Sequence, residues 1–477
     1  MRRTKIVATL GPATDEPERL RQIIDAGMDV ARLNFSHGTD SDVRDRAATL
    51  RRVAEESGRY VALLGDLQGP KIRIRRFQNG SARLDRGDSF FLDPDLDADA
   101  GTQAGVGIAY DRLAADVDPE DVLLLNDGHI ELEVTAIEGN RVHTRVLVGG
   151  VLSDHKGINR RGGGLSASAL TEKDLADIRL AAALECDYLA VSFVRSAKDV
   201  EETRRLFREA GGHGLIVAKI ERAEAVADIE SIVEAADVVM VARGDLGVEV
   251  GFAELTGLQK RIIRLTRQNN RVAITATQMM ESMISSAMPT RAEVSDVANA
   301  VMDGTDAVML SAETAVGEFP VEAVSAMAAV CEGAEKYSSS ASRRRQRIDD
   351  DFRYVDEAIA MAVMYTANHL AVKAIIALTE SGSTALWMSR VRSDIPIYAF
   401  TRHASTRRRV VLYRGVYPVS FDITHANSQT LYQEIFGLML DRELVEEGDL
   451  VIFTKGDLTG VEGGTNAMKI LRVARGG

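Results

Sequence analysis

The stretch LIVAKIERAEAVADIESIVEAADVVMVARGDLGVE, residues 215–249, decides the architecture. It opens on an apolar run that ends in Lys219 and Glu221, continues as a helical pattern, and closes on a second apolar run that ends in Arg243 and Asp245. A run that is apolar on both faces is a strand covered from both sides, and two such strands joined by a helix lie parallel. The same alternation extends in both directions. Strands are expected at Thr4–Leu10, Asp29–Ser36, Val61–Gln68, Tyr188–Val194, Leu215–Glu221, Val238–Gly247, Val272–Met279 and Ala307–Thr314. Helical stretches such as EPERLRQIIDAG and TEKDLADIRLAAALE separate them, with Asp15 and Thr171 as expected N-caps. Eight strands alternating with helices indicate a (β/α)8 barrel, an α/β fold.

Two regions depart from that rhythm. Residues 73–159 hold short strands (SARLDR, SFFLD, DVLLLND, IELEVTAIEG, RVHTRVLVGG) with turn signals and little helix, which reads as a small all-β lid inserted after the third barrel strand. The glycine-rich GINRRGGGL closes it as a hinge. From residue 337 a polar, basic connector, SSSASRRRQR, leads into AIIALT, IPIYAFT, VYPVSF, DLVIFTKG and MKILRV, a separate α/β domain. The expected division is therefore 1–72 with 160–336 for the barrel, 73–159 for the lid and 337–477 for the last domain.

Composition narrows the function. The net charge of −13 and the 5% aromatic content argue against nucleic acid as a partner. The two cysteines, Cys186 and Cys331, match no disulfide framework or metal spacing, which fits a reducing cytoplasm. No apolar stretch is long enough to span a membrane, and the opening MRRTKIVATL reads as a strand. Neither GxxxxGK[ST] nor GxGxxG occurs.

In a barrel of this kind functional groups gather where the strands end. Those ends carry Arg32, Asn34, Ser36, Asp66, Lys219, Glu221, Arg243, Asp245, Thr277, Ser311 and Glu313. Glu221 and Asp245 form a carboxylate pair suited to a hard divalent ion that keeps waters and ligand oxygens. Lys219, two residues before Glu221, points to the same side and can stabilise an enolate or a transferring phosphoryl group. Arg32 and Arg73 supply bidentate phosphate contacts.

Taken together, RLNFSHG (32–38), GDLQGPKIR (65–73), AKIER (218–222), ARGDLGVE (242–249), ATQMMESM (276–283) and MLSAET (309–314) resemble pyruvate kinase motifs, in that family's order. The resemblance covers essentially the whole chain. It implies phosphoryl transfer from phosphoenolpyruvate to ADP, giving pyruvate and ATP, in a glycolytic, cytoplasmic homotetramer. It implies magnesium or manganese between Glu221 and Asp245, and Lys219 neutralising charge as the phosphoryl leaves. By the same resemblance Thr277 lies near the carbon that gains a proton, and the amides of Gly244 and Asp245 hold the substrate carboxylate. Arg32, Asn34, Asp66 and Arg73 surround the phosphoryl, with Arg32, Asn34, His37 and Lys156 toward the nucleotide. Many relatives hold potassium on the equivalents of Asn34, Ser36, Asp66 and the carbonyl of Leu67. Potassium-dependent members resemble DTKGPEIR where this chain has DLQGPKIR, so Lys71 is expected to replace the cation and make potassium unnecessary. In the last domain TESGSTA offers Thr379, Ser381, Gly382, Ser383 and Thr384 as a cradle for the phosphate of an activator. The facing segment KGDLTGVEGGTN lacks a tryptophan and an arginine, which points to a sugar monophosphate or AMP. A metal-dependent lyase or aldolase of the pyruvate-enolate type shares the acid pair and an arginine. It needs neither the lid nor the second α/β domain.

Overall fold

The computed structural model describes residues 1–342, 352, 354–422, 430–456 and 464–474. Eight parallel strands close into a barrel and follow one another around the ring in chain order: Lys5–Thr9, Val30–Asn34, Ala62–Asp66, Tyr188–Val191, Leu215–Ile220, Val238–Ala242, Val272–Ala276 and Ala307–Leu310. Lys5 pairs with Ala307 and Val7 with Val30, so the first strand joins the last and the second. Nearly every strand residue is buried, as apolar runs without alternation require.

Several expected strands end early. Val238–Gly247 is strand only to Ala242, and Arg243–Val250 is helix; Ala307–Thr314 is strand to Leu310 and a helical turn from Ala312. Past the last ladder bond the backbone N–H groups need new partners, and a helical turn supplies them. Asp15 is not the N-cap of the first helix, Pro17–Ala26; that place belongs to Glu16. Asp15 instead takes two bonds from Arg46, at 2.6 and 3.0 Å. Thr171 does cap its helix, Glu172–Ala183, exchanging bonds with Asp174.

Contacts gather the chain into two compact units, one of Met1–Gly65, Leu184–Tyr188 and Thr266–Gly477, the other of Asp66–Ala183 and Leu189–Leu265. Within the second, a six-stranded sheet runs in the order Ile158–Arg160, Val122–Leu125, Ile130–Glu138, Arg141–Val148, Ser89–Asp93, Gly105–Gly107. It shares an apolar core around Phe90, Leu92, Leu123, Leu132 and Val142 with the two-stranded antiparallel sheet of Ser81–Leu84 and Gly150–Ser153. Within the first, the C-terminal part is a five-stranded sheet in the order Val416–Ser420, Ile397–Thr401, Ala374–Leu378, Leu450–Gly456, Thr465–Arg472, parallel but for the last strand. The helix Pro320–Ser342 takes in the first half of the connector, and residues 343–347 of it and 457–463 of KGDLTGVEGGTN lie outside the described residues. No helix among the described residues is long and apolar enough to cross a membrane.

Candidate active site

Around the end of Leu215–Ile220 the buried ammonium of Lys219 sits 3.0 Å from Glu221 Oε1, 3.2 Å from Asp66 Oδ1 and 2.7 Å from Ser192 Oγ. Asp66 closes its strand with no exposed surface, and the Ser192 hydroxyl donates onward to the Leu67 carbonyl at 2.7 Å. The Phe193 N–H donates to Glu221 Oε2 at 2.7 Å. The sequence does not single out Ser192 and Phe193. The only signal is a hydroxyl directly after the apolar run YLAV.

Asp245 stands in the first turn of the helix Arg243–Val250, not on a strand. Gly244 and Asp245 therefore contribute N–H groups that have no carbonyl four residues back within the helix, the arrangement that favours a carboxylate or phosphate. Lys71 Nζ lies 3.0 Å from Asp245 Oδ1. It meets a carboxylate expected to hold the divalent ion, rather than solvent.

Burial, reinforced by the neighbouring charge of Asp245 and opposed by Lys219, pushes the Glu221 carboxyl above its usual range. Added positive charge nearby would favour the ionised form of Glu221. Among the described residues no group of three or more His, Cys, Asp or Glu side chains converges as a metal cage. Two carboxylates fit magnesium, which keeps several waters and shares substrate oxygens. A small cavity of about 20 Å3 adjoins Asp245, lined also by Lys71, Phe193, Arg222 and Glu249.

Two other expected residues, Arg73 and Lys156, lie near the two ends of the β-rich segment 73–159. Arg73 bridges to Gly157, and its guanidinium donates to the His155 carbonyl at 2.9 Å. The Lys156 carbonyl accepts from the Ile74 N–H at 2.9 Å.

In the other unit, Arg32 is buried and donates to Thr9 Oγ1 at 3.0 Å. The Asn34 side-chain oxygen accepts the Ser36 N–H at 3.1 Å, and the Asn34 carbonyl accepts the His37 N–H at 3.3 Å, so this strand end turns over its own side chain. His37 is exposed. Thr277 follows its strand with φ 66°, a left-handed conformation that is an outlier for a β-branched residue, and its hydroxyl donates to the Ala276 carbonyl.

At the proposed activator loop, Thr379 Oγ1 accepts the Gly382 N–H at 2.9 Å and Ser381 Oγ the Ser383 N–H at 3.4 Å. Gly382 has φ 92°, and a Cβ there would meet Val410 Cγ1 at 2.8 Å, so glycine is required twice over. The Thr384 hydroxyl points inward to Thr465 Oγ1 at 2.7 Å, which leaves Thr379, Ser381 and Ser383 as the outward groups.

Comparison with known proteins agrees over the full length. Residues 1–324 match the family described as pyruvate kinase, barrel domain, and residues 357–471 the one described as pyruvate kinase, alpha/beta domain. The chain is 56% identical to pyruvate kinase II of Salmonella typhimurium over 99% of each chain. It is 53% identical to the pyruvate kinase of Haemophilus influenzae over 96% of each. It also superposes on the crystal structure of a pyruvate kinase from Cryptosporidium parvum with a TM-score of 0.91 at 33% identity, covering 99% of this chain and 96% of that one. Motifs, closed barrel and relatives thus lead to one conclusion: the chain belongs to the pyruvate kinase family.

Proposed function

We propose that this chain transfers the phosphoryl group of phosphoenolpyruvate to ADP, giving pyruvate and ATP. The observation that carries the reading is the buried Lys219 ammonium, held by Asp66, Glu221 and Ser192 next to the acid pair. In such a site a fixed cation acts where negative charge develops, and the protein supplies positioning and charge stabilisation rather than covalent chemistry.

Glu221 and Asp245 would hold magnesium or manganese, which when bound supplies Lewis-acid stabilisation of the enolate and phosphoryl oxygens. The amides of Gly244 and Asp245 orient the substrate carboxylate. Lys219 neutralises the bridging oxygen as the bond to phosphorus breaks. Arg32 and Arg73 hold the phosphoryl, with Asn34, His37 and Lys156 on the ADP side. Thr277 positions the proton that converts enolate to pyruvate. Lys71 provides the positive charge that potassium brings in other members, leaving the groups of Asn34, Ser36, Asp66 and Leu67 without a monovalent ion. We take residues 1–72 with 160–336 as the catalytic barrel, 73–159 as a lid that excludes water, and 337–477 as the regulatory domain. A sugar monophosphate or AMP at Thr379, Ser381 and Ser383 is the proposed activator, and a cytoplasmic homotetramer the proposed assembly.

The test is a lactate dehydrogenase-coupled assay with phosphoenolpyruvate, ADP and magnesium. Sustained NADH loss that requires ADP is expected. No turnover with any divalent ion or effector in a broad panel would end this reading.

A further inference from the structure

Away from the acid pair, on the first compact unit, five arginines crowd the junction between the barrel's last helices and the C-terminal sheet. A Cβ placed on Gly304, after the helix Arg291–Asp303, would lie 2.5 Å from Arg392 Nη2 and 2.6 Å from Arg267 Nη1. Two guanidinium groups therefore close on one point. Arg267 donates to the Arg390 carbonyl at 3.2 Å and has no ion pair among the described residues. Arg3 donates to the Ser393 carbonyl, beside Arg392, and Gly415, beside Arg414, donates its N–H to the Arg3 carbonyl.

The buried carboxylates at this junction are already committed. Asp306 is held bidentately by Arg390, at 2.6 and 2.9 Å, and accepts the Ala273 N–H at 2.8 Å. Glu335 accepts from the Thr4 N–H and hydroxyl and from the Arg3 N–H. Arg414 is left with Glu335 Oε1 at 3.8 Å, and its Nε is buried with no acceptor, although 11% of the side chain still reaches solvent. Half-buried Asp303 carries a charge that favours the Arg392 guanidinium, and the exposed Asp394 pairs with Arg3. Burial and mutual repulsion follow: the Arg267 guanidinium is pushed down to about 9, and those of Arg392 and Arg414 are also lowered, chiefly by burial, with neighbouring arginines adding to it and Asp303 and Glu335 opposing it. A buried cation whose nearby carboxylates are saturated is costly unless an anion joins it.

We propose that Arg267 and Arg414, with Arg392 alongside, form a binding site for a phosphate-type oxyanion, either the free ion or the phosphate group of a monoester. Guanidinium forks match the oxygens of such an anion. The site is distinct from the activator loop at Thr379–Ser383.

Thermal unfolding of the full chain in orthophosphate, against sodium chloride of equal ionic strength, tests this. The wild type and Ser383→Ala should gain several degrees, and Arg267→Met and Arg414→Met should lose most of that gain. General salting effects act on all four alike. Without phosphate, Arg267→Met should be at least as stable as wild type, because it removes a buried cation that has no ion pair among the described residues. An equal gain in all four proteins, a gain lost only in Ser383→Ala, or an Arg267→Met protein several degrees less stable without phosphate would each overturn the proposal. Glycerol phosphate in place of orthophosphate distinguishes the sources: a gain from both means that an ester fits, and a gain from orthophosphate alone means that the free ion is the ligand. Should the variants not fold, a tungstate soak of wild-type crystals decides: density between Arg267 and Arg414 supports the site, and its absence refutes it.

Discussion

Lys219 is the residue on which the proposed chemistry turns, and its surroundings show how the chain keeps an ammonium charged inside a protein. Three oxygens within 3.2 Å offset its burial. Lys219→Met should fold and lose roughly 1,000-fold or more in kcat, since the charge acts mainly in the transition state. A loss within about tenfold would remove Lys219 from this role. Ser192 fixes the same ammonium against the Leu67 carbonyl. Ser192→Ala removes a bond to a charged group, about 1.5–3 kcal/mol, so a fall in kcat of roughly tenfold to hundredfold with little change in KM is expected. Restoration of rate by Ser192→Thr would point to the hydroxyl itself. Lys71 carries a separate expectation. Because its Nζ already rests 3.0 Å from Asp245, activity in tetramethylammonium buffer should not rise on adding potassium, and Lys71→Glu should create that dependence. A tenfold or greater potassium response in the wild type would contradict it.

Among elements, the strand–loop junctions are where conformational strain and chemistry meet. The left-handed backbone of Thr277 costs on the order of 1–3 kcal/mol, and glycine adopts it without steric penalty. Thr277→Gly should therefore be no less stable in urea unfolding while turning over far more slowly; a less stable but fully active variant would show the opposite arrangement. The helix Arg291–Asp303 makes a second case, free of chemistry. Thr290 and Glu293 form a reciprocal cap there, with Thr290 Oγ1 accepting the Glu293 N–H at 3.3 Å and Glu293 Oε2 accepting the Thr290 N–H at 2.7 Å. Thr290→Ala should cost about 1 kcal/mol of stability and leave kcat alone. At this scale the eight strands were legible because each is a continuous apolar run. The points where strands give way to helix, as at Ala242 and Leu310, were not, because RGDLGVE and SAET suit either state.

Across the first unit, the Arg390–Asp306 pair ties the last barrel strands to the C-terminal sheet, with both side chains 2% exposed. Breaking such a pair on one side leaves a buried charge uncompensated, so Asp306→Asn should destabilise by about 3 kcal/mol. Denaturant titration measures this, and a loss below about 1 kcal/mol would show that solvent reaches the pair. Orthophosphate should recover part of the loss if the neighbouring arginines bind oxyanion.

What the sequence determined by itself is the barrel, the inserted β-rich segment, the separate α/β segment and the acid, lysine and arginine set at the strand ends. Those features rest on the period of apolar residues and on short local motifs, which need no knowledge of distant partners. Tertiary structure alone decided which oxygen faces which nitrogen. Lys71 meets Asp245, 174 positions away, and Ser192 joins Lys219 to the Leu67 carbonyl. Arg414 reaches Glu335 only at 3.8 Å, while Thr4 and Arg3, from the far end of the chain, bond to the same carboxylate at 2.6 and 2.9 Å. Pattern reads the chain one neighbourhood at a time, whereas pairing, burial and charge balance arise from residues hundreds of positions apart being packed into one place.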